Sequence, residues 1–111
     1  MKYEVFLSAD AEGDLLDIWK YVANHDSSES ANRLFDNLQE MCLSLERFPD
    51  RGHYSPELER IHVREYREIH FKPYRIIYRM HERKVFIYGV FDGRRNLQEL
   101  LIERLIRTRI E

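Results

Sequence analysis

The first apolar positions of the chain alternate. Tyr3, Val5 and Leu7 share one side of a two-residue period with Glu4 and Phe6 on the other, which predicts a half-buried strand. Ser8 then offers a hydroxyl as a helix N-cap, and Asp10, Glu12 and Asp14 follow where negative charge suits the helix dipole. Ala11, Leu15, Ile18, Trp19 and Val22 recur at three- and four-residue steps, the stripe of an amphipathic helix that turns Asp14, Asp17 and Lys20 outward and stops near Asn24-His25-Asp26. Ser27 or Ser28 opens a second helix, whose stripe of Ala31, Leu34, Phe35, Leu38, Met41, Cys42 and Leu45 runs on to Phe48, just before Pro49. So short a connection forces the two helices antiparallel, as a hairpin.

From Pro49 to Pro56 the composition is that of a loop. Three strand-like runs follow, about Val63 to Phe71, Tyr74 to Met80 and Val85 to Phe91, and their short connections predict an antiparallel meander. In the middle run Tyr74, Ile76, Tyr78 and Met80 point one way, and Arg75, Ile77 and Arg79 the other. Asn96 with Glu99 resembles a capping box, opening a last helix with the stripe Leu97, Leu100, Leu101, Leu105 and Ile106. On its outer side Glu103 and Arg107 are spaced to pair, and Arg107 and Arg109 suit the negative end of the dipole. The expected fold is α+β over residues 1–111 as one domain: N-terminal strand, helical hairpin, three-stranded meander completing the sheet, C-terminal helix. The simplest packing puts all helices on one side of an antiparallel sheet.

A chain of 111 residues buries about 65% of its unfolded surface, enough for a single core. The net charge of −2 hides an asymmetry: residues 1–59 hold 5 Lys and Arg against 13 Asp and Glu, whereas residues 60–111 hold 13 against 7. An acidic half is joined to a basic half, which either attract partners locally or neutralise one another. The lone Cys42 excludes an internal disulfide, and its place on an apolar stripe reads as a small buried hydrophobe. His25, His53, His62, His70 and His81 form no i,i+3 or i,i+4 pair on a helix, so neither a metal site nor a cofactor is expected. The opening residues are too short and acidic a stretch for a signal sequence, and no apolar run approaches membrane-spanning length; a cytoplasmic protein is expected.

This order of elements resembles the RelE/ParE toxin superfamily over nearly the whole chain. Four features carry the resemblance: Val5-Phe6-Leu7-Ser8 with Ala11, Asp14-Leu15, Ile18 and Tyr21-Val22; Ala31 with Leu45, Phe48-Pro49 and Gly52; Pro73-Tyr74-Arg75-Ile76-Ile77-Tyr78; and Gly93-Arg94-Arg95-Asn96 leading to Leu100-Leu101 and Arg104. Asp92 and Asn96 depart from it, since members often carry His before the Gly-Arg-Arg element and Asp after it.

The resemblance implies the toxin of a type II toxin–antitoxin (plasmid stabilisation) module, partnered in a hetero-oligomer by a cognate antitoxin. Two activities are open to it: inhibition of DNA gyrase, as in ParE-like members, or ribosome-dependent cleavage of messenger RNA, as in RelE-like ones. A non-toxic binding module on the same fold is a third reading. Cleavage through a 2′-hydroxyl needs a base, an acid and cations for the phosphorane. Arg75 and Arg95 match the arginines of the RelE-like pattern, but the preceding strand offers Arg67, Glu68, Ile69 and His70 in place of lysines, and residues 97–111 hold no Tyr, His or Lys. The inhibitor reading is therefore preferred, with Arg75 and Arg95 catalytic only under the RelE-like alternative. Arg75, Arg79, Arg94 and Arg95 are the candidates for target binding. An antitoxin segment that folds across the hairpin and sheet edge would use Leu15, Trp19, Leu38 and Tyr78 as anchors.

Overall fold

The computed structural model describes residues 2–110, without the side chains of residues 109 and 110, so the dipole role expected of Arg109 lies outside the described residues. The elements run β1 (Glu4–Leu7), α1 (Ala9–His25), α2 (Ser28–Leu43), β2 (His53–Tyr54), α3 (Pro56–Glu59), β3 (Tyr66–Phe71), β4 (Tyr74–His81), β5 (Lys84–Asp92) and α4 (Gln98–Ile110). Ser8 and Ser27 cap the hairpin helices, accepting from the Ala11 and Ser30 amides at 3.0 Å each; such caps contribute about 1 kcal/mol apiece. Only Asp26 and Ser27 separate α1 from α2, hence the antiparallel hairpin.

The strands form one sheet in the order β1-β5-β4-β3-β2. The meander β3-β4-β5 is antiparallel, as the short turns require, but β1 pairs parallel to β5, so the sheet is mixed. The segment read as a plain loop supplies two further elements: edge strand β2, paired with β3, and the single-turn α3 opened by Pro56.

The helices do not share one face. Ala11, Leu15, Leu38 and Cys42 of the hairpin meet Ile76, Tyr78, Val85, Ile87 and Val90 in one cluster. On the opposite face Leu101 and Leu105 of α4, Leu97 just before it and Leu58 of α3 meet Tyr66, Ile77, Tyr88 and Phe91. Strand β5 is apolar toward both sides and has to be covered twice, and each α4 leucine contributes about 2 kcal/mol by doing so.

Three local expectations change. The regular part of α2 ends at Leu43 and tightens into a 3-10 turn over Ser44–Glu46; Phe48, before Pro49, takes a left-handed φ of 51° and is 76% exposed rather than part of the stripe. Asn96 accepts from the Gln98 amide at 3.2 Å, one turn-closing bond in place of a capping box. Arg107 reaches Asp10 on α1 at 2.9 Å instead of pairing with Glu103.

That last contact lies beside a second one that closes the fold. The β1 strand stops at Leu7, opposite Ile87, so β5 continues beyond it with an open edge. Asp14 of α1 fills the gap: its Oδ2 accepts from the Val90 amide at 2.9 Å and from Arg104 of α4 at 2.6 Å, while Oδ1 accepts from Arg104 at 3.0 Å. The guanidinium lies 4.7 Å from the centre of the Phe91 ring. Gly89 leaves room for this, because a Cβ there would stand within 2.6 Å of Arg104. Replacing Asp14 by Ala removes the partner of a nearly buried cation and of a strand amide; a loss of about 3 kcal/mol of unfolding free energy is expected in urea denaturation, with Glu12→Ala close to wild type.

Candidate functional site

The face of the sheet that carries α4 also carries the charged residues. Arg75 of β4 is flanked by Glu68, on β3, and by Glu57, which the first turn of α3 holds in place. Its guanidinium makes a two-pronged pair with Glu57, NH1 to Oε2 at 2.8 Å and NH2 to Oε1 at 2.6 Å. Nε and NH2 also donate to Glu68 Oε2 at 3.0 and 2.7 Å. Arg75 and Glu68 are withdrawn from solvent, with side chains 13% and 2% exposed. The hydrogen bond from Arg75 holds the Glu57 carboxyl below its ordinary range, and the same bond raises the arginine further above its own. Gln98 ties the group to α4, donating to the Glu57 carbonyl oxygen at 2.8 Å and accepting from Arg60 at 2.9 Å.

Two carboxylates surround one guanidinium, so this patch is net negative even though the sequence places arginines on it. On the far side of Glu68, His70 Nε2 lies 3.1 Å from Oε1 and His53 Nε2 lies 3.9 Å from the same oxygen. Glu57 and His53 were not singled out from the sequence, since His53 falls in the segment read as loop and Glu57 just after it. The Glu68-x-His70 spacing, which puts two side chains on one strand face, was the legible signal.

The other candidate arginines do not converge on Arg75. Arg79, four residues along β4 and thus about 13 Å away, lies 5.0 Å over the Phe86 ring. Arg94 is turned back on Asp92, NH2 to Oδ2 at 2.7 Å and Nε to Oδ1 at 3.0 Å, and this bond keeps the Asp92 carboxyl below its usual range. Arg95 is exposed and lines an open groove with Tyr21, Tyr74 and Asp17.

Of the four anchors expected for a partner, only Trp19 is at the surface; Leu15, Leu38 and Tyr78 are core residues, because the stripe that packs the hairpin onto the sheet consumes them. Trp19 donates to Asn32 at 2.8 Å and lines an open groove of about 540 Å³ between α1 and α2, with Leu16, Phe35 and Asp36. Tyr78 has a different task. Its hydroxyl donates to the Pro49 carbonyl oxygen and accepts from the Gly52 amide at 3.1 Å, latching the segment that leads into β2. Gly52 fits because a Cβ there would lie within 2.8 Å of the Glu68 carbonyl oxygen and closer still to Tyr78. Cys42 is buried, as its position on the stripe implied, and burial pushes its thiol up to about 12.

A helical hairpin on one face of a mixed five-stranded sheet, with a terminal helix on the other, is the fold of the RelE/ParE toxins. The chain belongs to the ParE toxin family: the family model described as "ParE toxin of type II toxin-antitoxin system, parDE" matches residues 5–97. Among solved structures, the chromosomal ParDE toxin–antitoxin system from P. aeruginosa contains a chain with a TM-score of 0.70 and 16% identity, covering 82% of this chain and 96% of that one. The RelBE2 toxin–antitoxin complex from Mycobacterium tuberculosis contains another, with a TM-score of 0.62, 22% identity, and coverage of 83% and 92%. No curated protein sequence matches significantly. No helix among the described residues is long and apolar enough to cross a membrane.

Two measurements test the site. Glu57→Gln should cost about 2 kcal/mol, the scale of a lost charged hydrogen bond. A carboxyl whose folded pKa is depressed stabilises the fold above its unfolded value, near pH 4, and that contribution disappears as pH falls through the folded value. The difference in stability between wild type and Glu57→Gln should therefore be largest at neutral pH and shrink below about pH 4. Cys42 should resist a thiol-specific chromogenic reagent at pH 8 until denaturant is added; immediate reaction of the folded protein would contradict its burial.

Proposed function

We propose that this ParE-family toxin acts in the cytoplasm by binding and inhibiting DNA gyrase rather than by cutting RNA, and that a cognate antitoxin neutralises it in a plasmid-stabilisation type of module. The observation that carries the first part is the neutralisation of Arg75. A nuclease that grips a phosphate on the sheet needs free cations there, but Arg75 is committed to Glu57 and Glu68, and a carboxylate beside the path of a phosphate repels it. The described part of the final helix supplies no Tyr, His or Lys as acid or base. Arg94 and Arg95, exposed on the turn after β5, remain as candidates for contacting the target.

For the antitoxin, the groove beside Trp19 supports docking of an amphipathic segment. Leu16 and Phe35 offer apolar contact and Asp36 an acidic rim, which favours a segment with apolar anchors and a basic flank.

Purified toxin should inhibit supercoiling by gyrase and leave messenger RNA intact in a ribosome-containing translation reaction. Unimpaired gyrase together with cut messenger RNA would establish the RelE-like activity instead, and absence of both would indicate a non-toxic module. Trp19→Ala should weaken binding to the product of the adjoining small gene by at least about tenfold in calorimetry, the scale of a buried aromatic anchor.

A further inference from the structure

We propose that His53, Glu68 and His70 form a binding site for a divalent transition-metal ion, with Zn²⁺ the best match to the donor set. Two imidazoles and a carboxylate are a recurrent zinc set. Their donor atoms all lie within 4.8 Å of one another. Metal–ligand bonds of about 2.0–2.1 Å in a tetrahedral arrangement place donors roughly 3.3 Å apart. His70 Nε2 and Glu68 Oε1 already meet that spacing at 3.1 Å, while the exposed His53, 3.9 Å from the same oxygen, is the ligand that has to move in.

The backbone brings these residues together. Glu68 and His70 are two apart on β3 and so share a face, while His53 is the cross-strand partner of Glu68 in the β2–β3 register. The carboxylate is oriented in advance: Oε2 is held by Arg75, which leaves Oε1 facing the two imidazoles. Each feature fits the outer support that zinc ligands use.

His53 is oriented by its own backbone contact. His53 Nδ1 lies 3.1 Å from the Tyr54 carbonyl oxygen, an acceptor, so Nδ1 carries the hydrogen. That leaves Nε2 as the ring nitrogen on the side of Glu68, 3.9 Å from its Oε1. Glu57, Glu68 and Arg75 sum to one negative charge, so a dication is electrostatically welcome. The imidazoles are 61% and 42% exposed, which leaves solvent-facing positions for water and lets the ion exchange. Bound metal would clamp the two-residue edge strand β2 onto β3. The proposal is independent of the gyrase reading.

The test is titration of the chelator-stripped full chain with ZnCl₂ by calorimetry, alongside thermal unfolding and Co²⁺ absorption. One Zn²⁺ per chain, a rise in Tm and tetrahedral-type Co²⁺ bands are expected. His53→Ala and His70→Ala should each weaken binding by at least about tenfold, with His81→Ala unchanged. Both ligand positions are exposed, so these variants should keep the wild-type circular dichroism spectrum; Glu68→Gln serves as a third variant. No heat and no Tm change up to about 1 mM Zn²⁺ would overturn the proposal. Binding that survives in both histidine variants would overturn it equally.

Discussion

The carboxylate of Asp14 is the constraint on which the arrangement of this fold depends. A five-stranded sheet with a short first strand leaves part of β5 unpaired, and an unpaired strand edge is both a lost hydrogen-bond opportunity and an invitation to mispairing. Asp14 closes that edge through the Val90 amide and binds Arg104 at the same time. A helix on one face of the sheet and a helix on the other are thus joined around the edge of β5. Arg107–Asp10 lies one turn earlier in α1 and one turn later in α4 and repeats the link at the surface, where it contributes less.

The covering of both faces explains why polar chemistry is confined to one part of the sheet. The hairpin face is filled by apolar side chains from β3, β4 and β5, down to Tyr78, whose hydroxyl finds the loop carbonyl at Pro49. On the other face α4 reaches only Tyr66, Ile77, Tyr88 and Phe91, leaving the β3 side to Glu68, His70 and Arg75. A carboxylate as withdrawn as Glu68 persists there because Arg75 and the His70 imidazole satisfy its oxygens, and α3 is positioned to add Glu57.

Much of this was legible in the residues. The caps at Ser8 and Ser27, the hairpin and the three meander strands follow from periodicity and turn chemistry, and the family resemblance rests on positions such as Asp14 and Arg104 whose pairing the structure explains. What escaped was long-range. Edge strand β2 is two residues with no alternation to detect, and α3 is a single turn, so neither carries a periodic signal. The run Val85-Phe86-Ile87-Tyr88 did carry one: a strand without polar alternates is buried on both sides, which contradicts helices on a single face. The anchors Leu15, Leu38 and Tyr78 were misplaced because periodicity identifies an apolar stripe without saying whether the protein's own sheet or a partner covers it. Here the sheet covers it, and Leu16, Trp19 and Phe35 at its border line an open groove.

Arg75 shows how little a motif position says about chemistry until its neighbours are known. Its place after Pro73-Tyr74 is the one at which the resemblance allows a phosphate-gripping cation, and on a strand beside lysines it would serve as one. With Glu68 across the β3–β4 pair and Glu57 arriving from α3, the same guanidinium becomes the counter-charge of two carboxylates. Each of its donors used in this way is withdrawn from any ligand, and a competing phosphate would have to displace a bidentate pair that is already desolvated. The substitution that separates the two chemistries is therefore the acid on β3, not the arginine that both patterns share. That acid also gives His53 and His70 a common focus, so the residue that disfavours phosphate is the one that makes the surface suited to a cation.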